Sequence, residues 1–189
     1  KIWIGTYKGL LLYDESLDKF TDFRLSERYL PNQPVPINKI VRAPGDEIWI
    51  GAQDIGVLIY NLKSQSFDEI KSGRINRLIR NNSVNSIFFD KQGFCWISTI
   101  SEGVFRCSAD GTHHEEYSFR EFSHISANYN EILDVFESGS GDFWIASRGC
   151  GVYRISKGKI RNYSYDSKNN YSIGSNEVYD LWEDKNGFI

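Results

Sequence analysis

Glu131 and Glu177 stand at matching points of the chain, each directly after an asparagine (Asn130, Asn176) and directly before an apolar run. Two carboxylates brought close raise the pKa of one of them and can serve as an acid/base pair or a cation site. The corresponding places elsewhere hold Pro36 and Ser83, so the carboxylates cannot form a full ring. A second set of matched positions carries Tyr7 and Lys8, Gln53 and Asp54, Ser101 and Glu102, and Arg148. These lie in short turns where otherwise similar segments stop resembling one another, which is what a ligand site on a repeated scaffold requires. Lys8 and Arg148 supply positive charge, and an arginine fork suits a carboxylate or sulfate group. His113-His114-Glu115-Glu116 is metal-capable in composition, but neighbours on a strand point to opposite faces, and His124 is the remaining histidine. Gly139-Ser140-Gly141 reads as a hairpin turn and not as a nucleophile elbow. No catalytic residues, metal or cofactor are expected.

The elements that position these residues follow from a repeat. Ile2-Trp3-Ile4-Gly5-Thr6 returns as Ile48-Trp49-Ile50-Gly51-Ala52, Cys95-Trp96-Ile97-Ser98-Thr99 and Phe143-Trp144-Ile145-Ala146-Ser147, with the tryptophans 46, 47 and 48 residues apart. Asp90-Lys91-Gln92-Gly93 precedes one of these phrases, and Asp184-Lys185-Asn186-Gly187 closes the sequence where a further tryptophan phrase would follow. After each phrase come a turn, a glycine and another apolar run, beginning at Gly9, Gly56, Gly103 and Gly151. An Asn-x-(Val/Ile)-x-x-apolar stretch begins at Asn82, Asn130 and Asn176, with Val35 to Ile40 as a version lacking the asparagine. These asparagines are expected to make local turn hydrogen bonds.

Each unit reads as four short strands, A to D: Val84–Asp90, Phe94–Thr99, Gly103–Ser108 and Glu115–Arg120 in the clearest copy. Strand B is apolar at consecutive positions, so both of its faces must be covered. Strand D alternates and carries charge, as in Ser66-Phe67-Asp68-Glu69-Ile70-Lys71, which fits a wet outer edge. No helical period of useful length appears, and the four prolines fall in links or at a strand edge. An all-β chain of four repeats of about 47 residues, each a four-stranded antiparallel blade of a β-propeller, is expected over residues 1–189, with partial first and last blades. The tryptophans, Trp182 in a strand A among them, are expected to pack the core and not to stack on sugars. An open arc would leave apolar blade faces exposed, so the segment is expected to be an excerpt of a longer propeller.

Composition narrows the partners. The chain has 189 residues, 25 acidic against 22 basic, a net charge of −3, and 15% aromatic residues. There is core enough for a fold, and no basic field for nucleic acid or an anionic membrane. No run approaches a bilayer span of about 20 residues, so any membrane attachment would lie in a segment absent from this sequence. Cys95, Cys107 and Cys150 are too few and too scattered for a disulfide framework or a zinc site, and read as small buried apolar side chains.

Together, the Ile-Trp-Ile-Gly-Thr phrase, the Asp-Lys-Asn-Gly turn and Asn176-Glu177-Val178-Tyr179-Asp180-Leu181-Trp182-Glu183-Asp184 resemble the two-component regulator propeller repeat. WD40 spacing is absent, and an Asp-box would place Asp90 one residue nearer Trp96. The resemblance implies a non-catalytic periplasmic ligand-sensing module, part of the ectodomain of an inner-membrane hybrid histidine kinase that senses oligosaccharides and pairs as a homodimer. In such folds the ligand face carries the B–C and D–A links. That makes Tyr7, Lys8, Gln53, Asp54, Glu102, Glu131, Arg148 and Glu177 the candidate binding residues, with an acidic sugar suited to Lys8 and Arg148. A protein-docking scaffold and a propeller-fold glycan lyase or hydrolase using Glu131 and Glu177 are the alternatives.

Overall fold

A computed structural model of the chain describes residues 1–70, 73–80, 82–108, 113–119 and 131–189. Among the described residues, fifteen strands form four antiparallel meanders. The first has three strands, β1 (Ile2–Thr6), β2 (Gly9–Asp14) and β3 (Lys19–Asp22), which correspond to B, C and D. The second runs β4 (Ile37–Arg42), β5 (Glu47–Ala52), β6 (Gly56–Asn61) and β7 (Ser66–Asp68). The third runs β8 (Val84–Phe89), β9 (Cys95–Thr99), β10 (Val104–Cys107) and β11 (His114–Tyr117). The fourth runs β12 (Glu131–Glu137), β13 (Phe143–Arg148), β14 (Gly151–Ser156) and β15 (Lys159–Tyr163). Sequential, in-order pairing within each sheet is the topology of propeller blades. The chain divides into two compact units, 1–87 and 88–189, each with its own core.

The polarity gradient of the sequence maps onto position most clearly in the second and third sheets, whereas β1, the B strand of the first sheet, is exposed or half-buried throughout. The B strands β5 and β9 are buried at nearly every residue, whereas the D strands β3 and β7 are largely exposed. In the first unit Leu10, Leu25, Val35, Ile50 and Leu58 form the centre of the core. In the second, Trp96, Val104, Phe119, Ile132 and Tyr153 do so. The fourth position of the tryptophan phrase is small for a steric reason. A Cβ built on Gly51 would lie 2.9 Å from Val84 Cγ1, and one on Gly5 would lie 2.8 Å from Ile37 Cγ2. The start of the next strand A passes directly over that point.

Three of the four phrases also end in a hydroxyl residue that closes the B–C turn. Thr6 and Thr99 donate their hydroxyls to Gly9 O (2.9 Å) and Gly103 O (3.1 Å), and Ser147 donates to Gly151 O (2.9 Å). Where Ala52 replaces the hydroxyl, Asp54 takes a left-handed backbone with φ 58° to make the turn. On the opposite edge, the A–B turns are held by acidic caps. Asp90 Oδ1 accepts from the Gln92 and Phe94 amides, and Asp184 Oδ1 does the same for Asn186 and Phe188. A glutamate at the end of one strand A then ties to the preceding turn: Glu137 Oε2 accepts from Lys91 N at 2.8 Å, and Glu183 Oε2 accepts from Gly139 N.

One carboxylate in the third sheet also anchors the core tryptophan. Asp90 Oδ2 accepts from Trp96 Nε1 at 3.0 Å and from Arg106 Nε and Nη2 at 3.0 and 2.9 Å. Arg106 sits directly opposite Trp96 across the ladder, and its guanidinium lies 3.9 Å from the Phe94 ring centroid. Desolvation pushes the Asp90 carboxyl up, but the hydrogen bonds from Trp96, Phe94 and Arg106 outweigh it and hold the group below the ordinary carboxylate value. Asp142 and Arg154 repeat the ion pair in the fourth sheet. There the Trp144 indole N–H is buried without a hydrogen-bond partner.

Three expectations need correction. Among the described residues two short helices occur, α1 (Leu25–Tyr29) and α2 (Gly73–Ile79), both in D–A links. They are too short to show a period, although fully buried Ile75 and Ile79, four apart, mark one face of α2. Trp182 is 75% exposed and lies in no strand. Among the described residues, the strand-like pairing of 176–181 is a bridge from Glu177 to Arg148. Finally, Trp49 and Trp96 are buried as expected, but Trp3 and Trp144 are half-buried.

Candidate functional site

The B–C turns and the D–A links come together at one edge within each unit. In the first unit the turn after β5 brings Gln53 and Asp54 there. Gln53 N donates to Pro36 O at 2.9 Å, and Asp54 accepts from Gln53 Nε2 and from Ser83 Oγ, both at 3.3 Å. Asp54 therefore contacts the residue that stands where Glu131 and Glu177 stand in other repeats. Beside it is a pocket of about 90 Å³ whose polar lining is Asp54, Glu69, Asn76 and Arg80, with Tyr29 and Leu30 from the end of α1. Asn76 Nδ2 donates to Glu69 Oε2 at 2.8 Å, fixing both side chains against the pocket. Burial pushes the Tyr29 phenol up, with Arg28 opposing and Glu69 adding to it, so the hydroxyl stays neutral and able to donate. The two helices that the sequence did not disclose thus build the wall of the pocket, and their only trace is the apolar spacing of Ile75 and Ile79.

The turn after β1 is different. Thr6 Oγ1 accepts from the Lys8 and Gly9 amides, and Tyr7 projects outward, 71% exposed. Tyr7 and Lys8 flank an open, mostly apolar depression completed by Thr6, Gly9, Leu11 and Asp22. An aromatic face beside an ammonium is a chemically plain platform for a polar ligand with an apolar side.

In the second unit three of the candidates meet. Arg148 Nη1 donates to Glu131 Oε2 at 2.8 Å, Arg148 Nε lies 3.9 Å from Glu177 Oε2, and the guanidinium lies 5.8 Å from the Tyr179 ring centroid. The backbone holds this arrangement. Glu131 and Arg148 are register partners, Val178 N donates to Ser147 O at 3.1 Å, and the Gly149 and Gly151 amides both donate to Asn176 O. Asn176 also accepts from Tyr165 N at 2.7 Å through its side chain, closing the D–A link as a local turn bond would. The two glutamates are thus brought together, but with an arginine engaging both. Glu131 and Glu177, the pair on which the alternative lyase or hydrolase reading rests, both lie beside Arg148. Glu102 N donates to Thr99 Oγ1 at 3.0 Å, which sets the backbone of its turn. Asn81, Asn130 and His124 lie outside the described residues.

His113 and Glu115, on the same side of the outer edge of the third sheet, pair at 3.2 Å, and Glu115 also accepts from the Tyr117 hydroxyl at 2.6 Å. Among the described residues no group of three or more histidine, cysteine, aspartate or glutamate side chains could hold a metal ion, and no helix is long and apolar enough to cross a membrane.

Residues 78–101, from the end of α2 through β8, the Asp90 turn and β9, match the family model for the two component regulator propeller. The resemblance drawn from the tryptophan phrases is shown by this match. The chain is similar in fold to the extracellular domain of a putative one component system from B. thetaiotaomicron, with TM-score 0.75 and 22% identity over 97% of this chain and 23% of that one. It is also similar to the extracellular domain of a putative hybrid two component system from the same organism, with TM-score 0.68 and 21% identity over 96% and 22% of the two chains. A third likeness is to PorZ, a surface component of the type-IX secretion system of Porphyromonas gingivalis, with TM-score 0.64 and 16% identity over 96% and 28%. The chain thus spans about a quarter of the length of the structures it matches. No curated protein matches it. These likenesses show the fold, a β-propeller segment.

Proposed function

We propose that this chain is a non-catalytic portion of a propeller in the periplasmic ligand-sensing ectodomain of a two-component receptor, and that its ligand is an oligosaccharide. The observation that carries the reading is the family match, placed on a blade whose B–C and D–A edge differs from repeat to repeat while its core does not. The Asp54–Glu69–Asn76–Arg80 pocket with Tyr29 offers the mix of carboxylate, amide and aromatic groups that sugar hydroxyls and ring faces engage. Tyr7, Lys8, Gln53, Glu102, Glu131, Arg148 and Glu177 belong to the same kind of edge. Arg148, held by two glutamates, would exchange one of them for the carboxylate or sulfate of an acidic sugar. In this reading the remaining blades and domains lie elsewhere in the same receptor. Ligand occupancy shifts packing between blades, biases a homodimer of ectodomains and reaches a histidine kinase across the inner membrane.

The test is a thermal-shift and calorimetric panel of neutral, uronic and sulfated oligosaccharides. Saturation at about a hundred times Kd raises stability by roughly 2.7 kcal/mol, an easily resolved rise in Tm. A panel in which no member moves Tm or gives heat removes the proposal. An apolar rim that captures protein and no glycan would favour the docking reading.

A further inference from the structure

Two of the three cysteines face one another. Cys95 in β9 and Cys107 in β10 are direct register partners in an antiparallel ladder, and both are fully buried. Directly opposed residues in such a ladder have Cα atoms about 4.5–5.5 Å apart, inside the roughly 4.4–6.8 Å window of a disulfide. Cys150 lies in the turn between β13 and β14 of the fourth sheet. The geometry points to Cys95 and Cys107 as a cross-strand disulfide site that locks β9 to β10 in the third sheet. The bond is expected to be formed in an oxidising compartment, which rests on the periplasmic reading above. The site itself does not depend on that reading.

Burial pushes the Cys95 thiol up, whereas the neighbouring Cys95 thiol lowers Cys107, so Cys107 is the first to act as a thiolate. Its place as the last residue of β10, beside the outer strand β11, gives it the shorter route to solvent when that edge opens. The co-reactant is a small disulfide oxidant such as oxidised glutathione. Cys107 thiolate attacks one of its sulfurs, forming a mixed disulfide and releasing one glutathione thiolate. Cys95 then loses its proton and attacks the Cys107 sulfur, and the second glutathione leaves as thiolate. Two electrons pass from the pair to the oxidant, whose S–S bond is exchanged for the Cys95–Cys107 bond.

The experiment refolds the 189-residue chain in a glutathione redox buffer, so that burial cannot block exchange, and maps it without reduction by mass spectrometry. The expected result is a Cys95–Cys107 peptide link, the loss of two hydrogen atoms, and a Tm roughly 5–10 °C above that of the reduced chain. The link and the shift survive Cys150→Ala and disappear in Cys107→Ala. The same peptide map on chain secreted into a bacterial periplasm reads the bond without refolding. A pair that stays reduced in both preparations, or a link that runs through Cys150, overturns the assignment. Glycan binding enters neither readout, so its failure and that of the disulfide are distinguishable.

Discussion

Replacing Asp90 by alanine should be the most damaging single change at the blade edge. The Asp90 side chain is 1% exposed, and it neutralises the Arg106 guanidinium, itself 13% exposed, while accepting the buried Trp96 indole N–H. Removing one partner of a buried pair costs about 3–5 kcal/mol, and stranding a buried donor adds about 1–3 kcal/mol. Part of this is recovered because Glu115 lies 3.7 Å from Arg106 and can take over some of its charge. A net loss of about 3–4 kcal/mol is therefore expected, or a fall in Tm on the order of 10 °C for a chain of this length. Because the folded carboxyl titrates below its ordinary value, the contribution is complete above the unfolded pKa, about 3.9, and fades as pH falls through the folded value. Urea denaturation followed by circular dichroism from pH 7 down to about pH 3 should show wild type and Asp90→Ala far apart at neutral pH and converging in acid. A loss below about 1 kcal/mol at neutral pH, or a gap that stays constant across that range, would refute the clamp.

Other outcomes follow from the same structure. Trp96→Ala should cost about 3–5 kcal/mol by urea denaturation, whereas Trp182→Ala, at a 75% exposed side chain, should change stability by less than about 0.5 kcal/mol. Gly151→Ala places a Cβ 2.2 Å from Tyr163 O at a φ of +79°, so a destabilisation of at least ~1–3 kcal/mol is expected in the same assay. Arg148→Gln removes a partly exposed ion pair and should alter stability by no more than about 1 kcal/mol, yet lower affinity for an acidic oligosaccharide at least tenfold by calorimetry. Equal affinities in the two proteins would take Arg148 out of the proposed site.

The blade was legible in the sequence because its strongest constraints are local and repeated. Trp49 and Trp96 sit on strands buried on both faces, and such strands must be apolar at successive positions. Gly51 must be small where Val84 crosses it. The position of Arg148 between Glu131 and Glu177 was not legible. Each residue was singled out, but Arg148 pairs with Glu131 inside one blade and with Glu177 of the next repeat, and side-chain pairings of that kind carry no periodic signal. The Asp90–Trp96–Arg106 clamp escaped for a related reason: Asp90 reads first as a turn residue, and its second oxygen serves a different purpose. The helices α1 and α2 were hidden by their length. Leu25, Ile75 and Ile79 are buried, but three residues in two short links do not distinguish a helical turn from a packed loop.

Hydrogen exchange with a bound oligosaccharide tests the central claim most directly, because it reads which edge of the blades meets the ligand. Slowed exchange is expected around Tyr7 and Lys8, Gln53 and Asp54, or Arg148 to Cys150 and Asn176 to Val178. The Asp90–Gly93 and Ser138–Gly141 turns at the opposite edge should be unchanged. Protection confined to those A–B turns, or spread over the outer strands β7 and β15, would contradict the account.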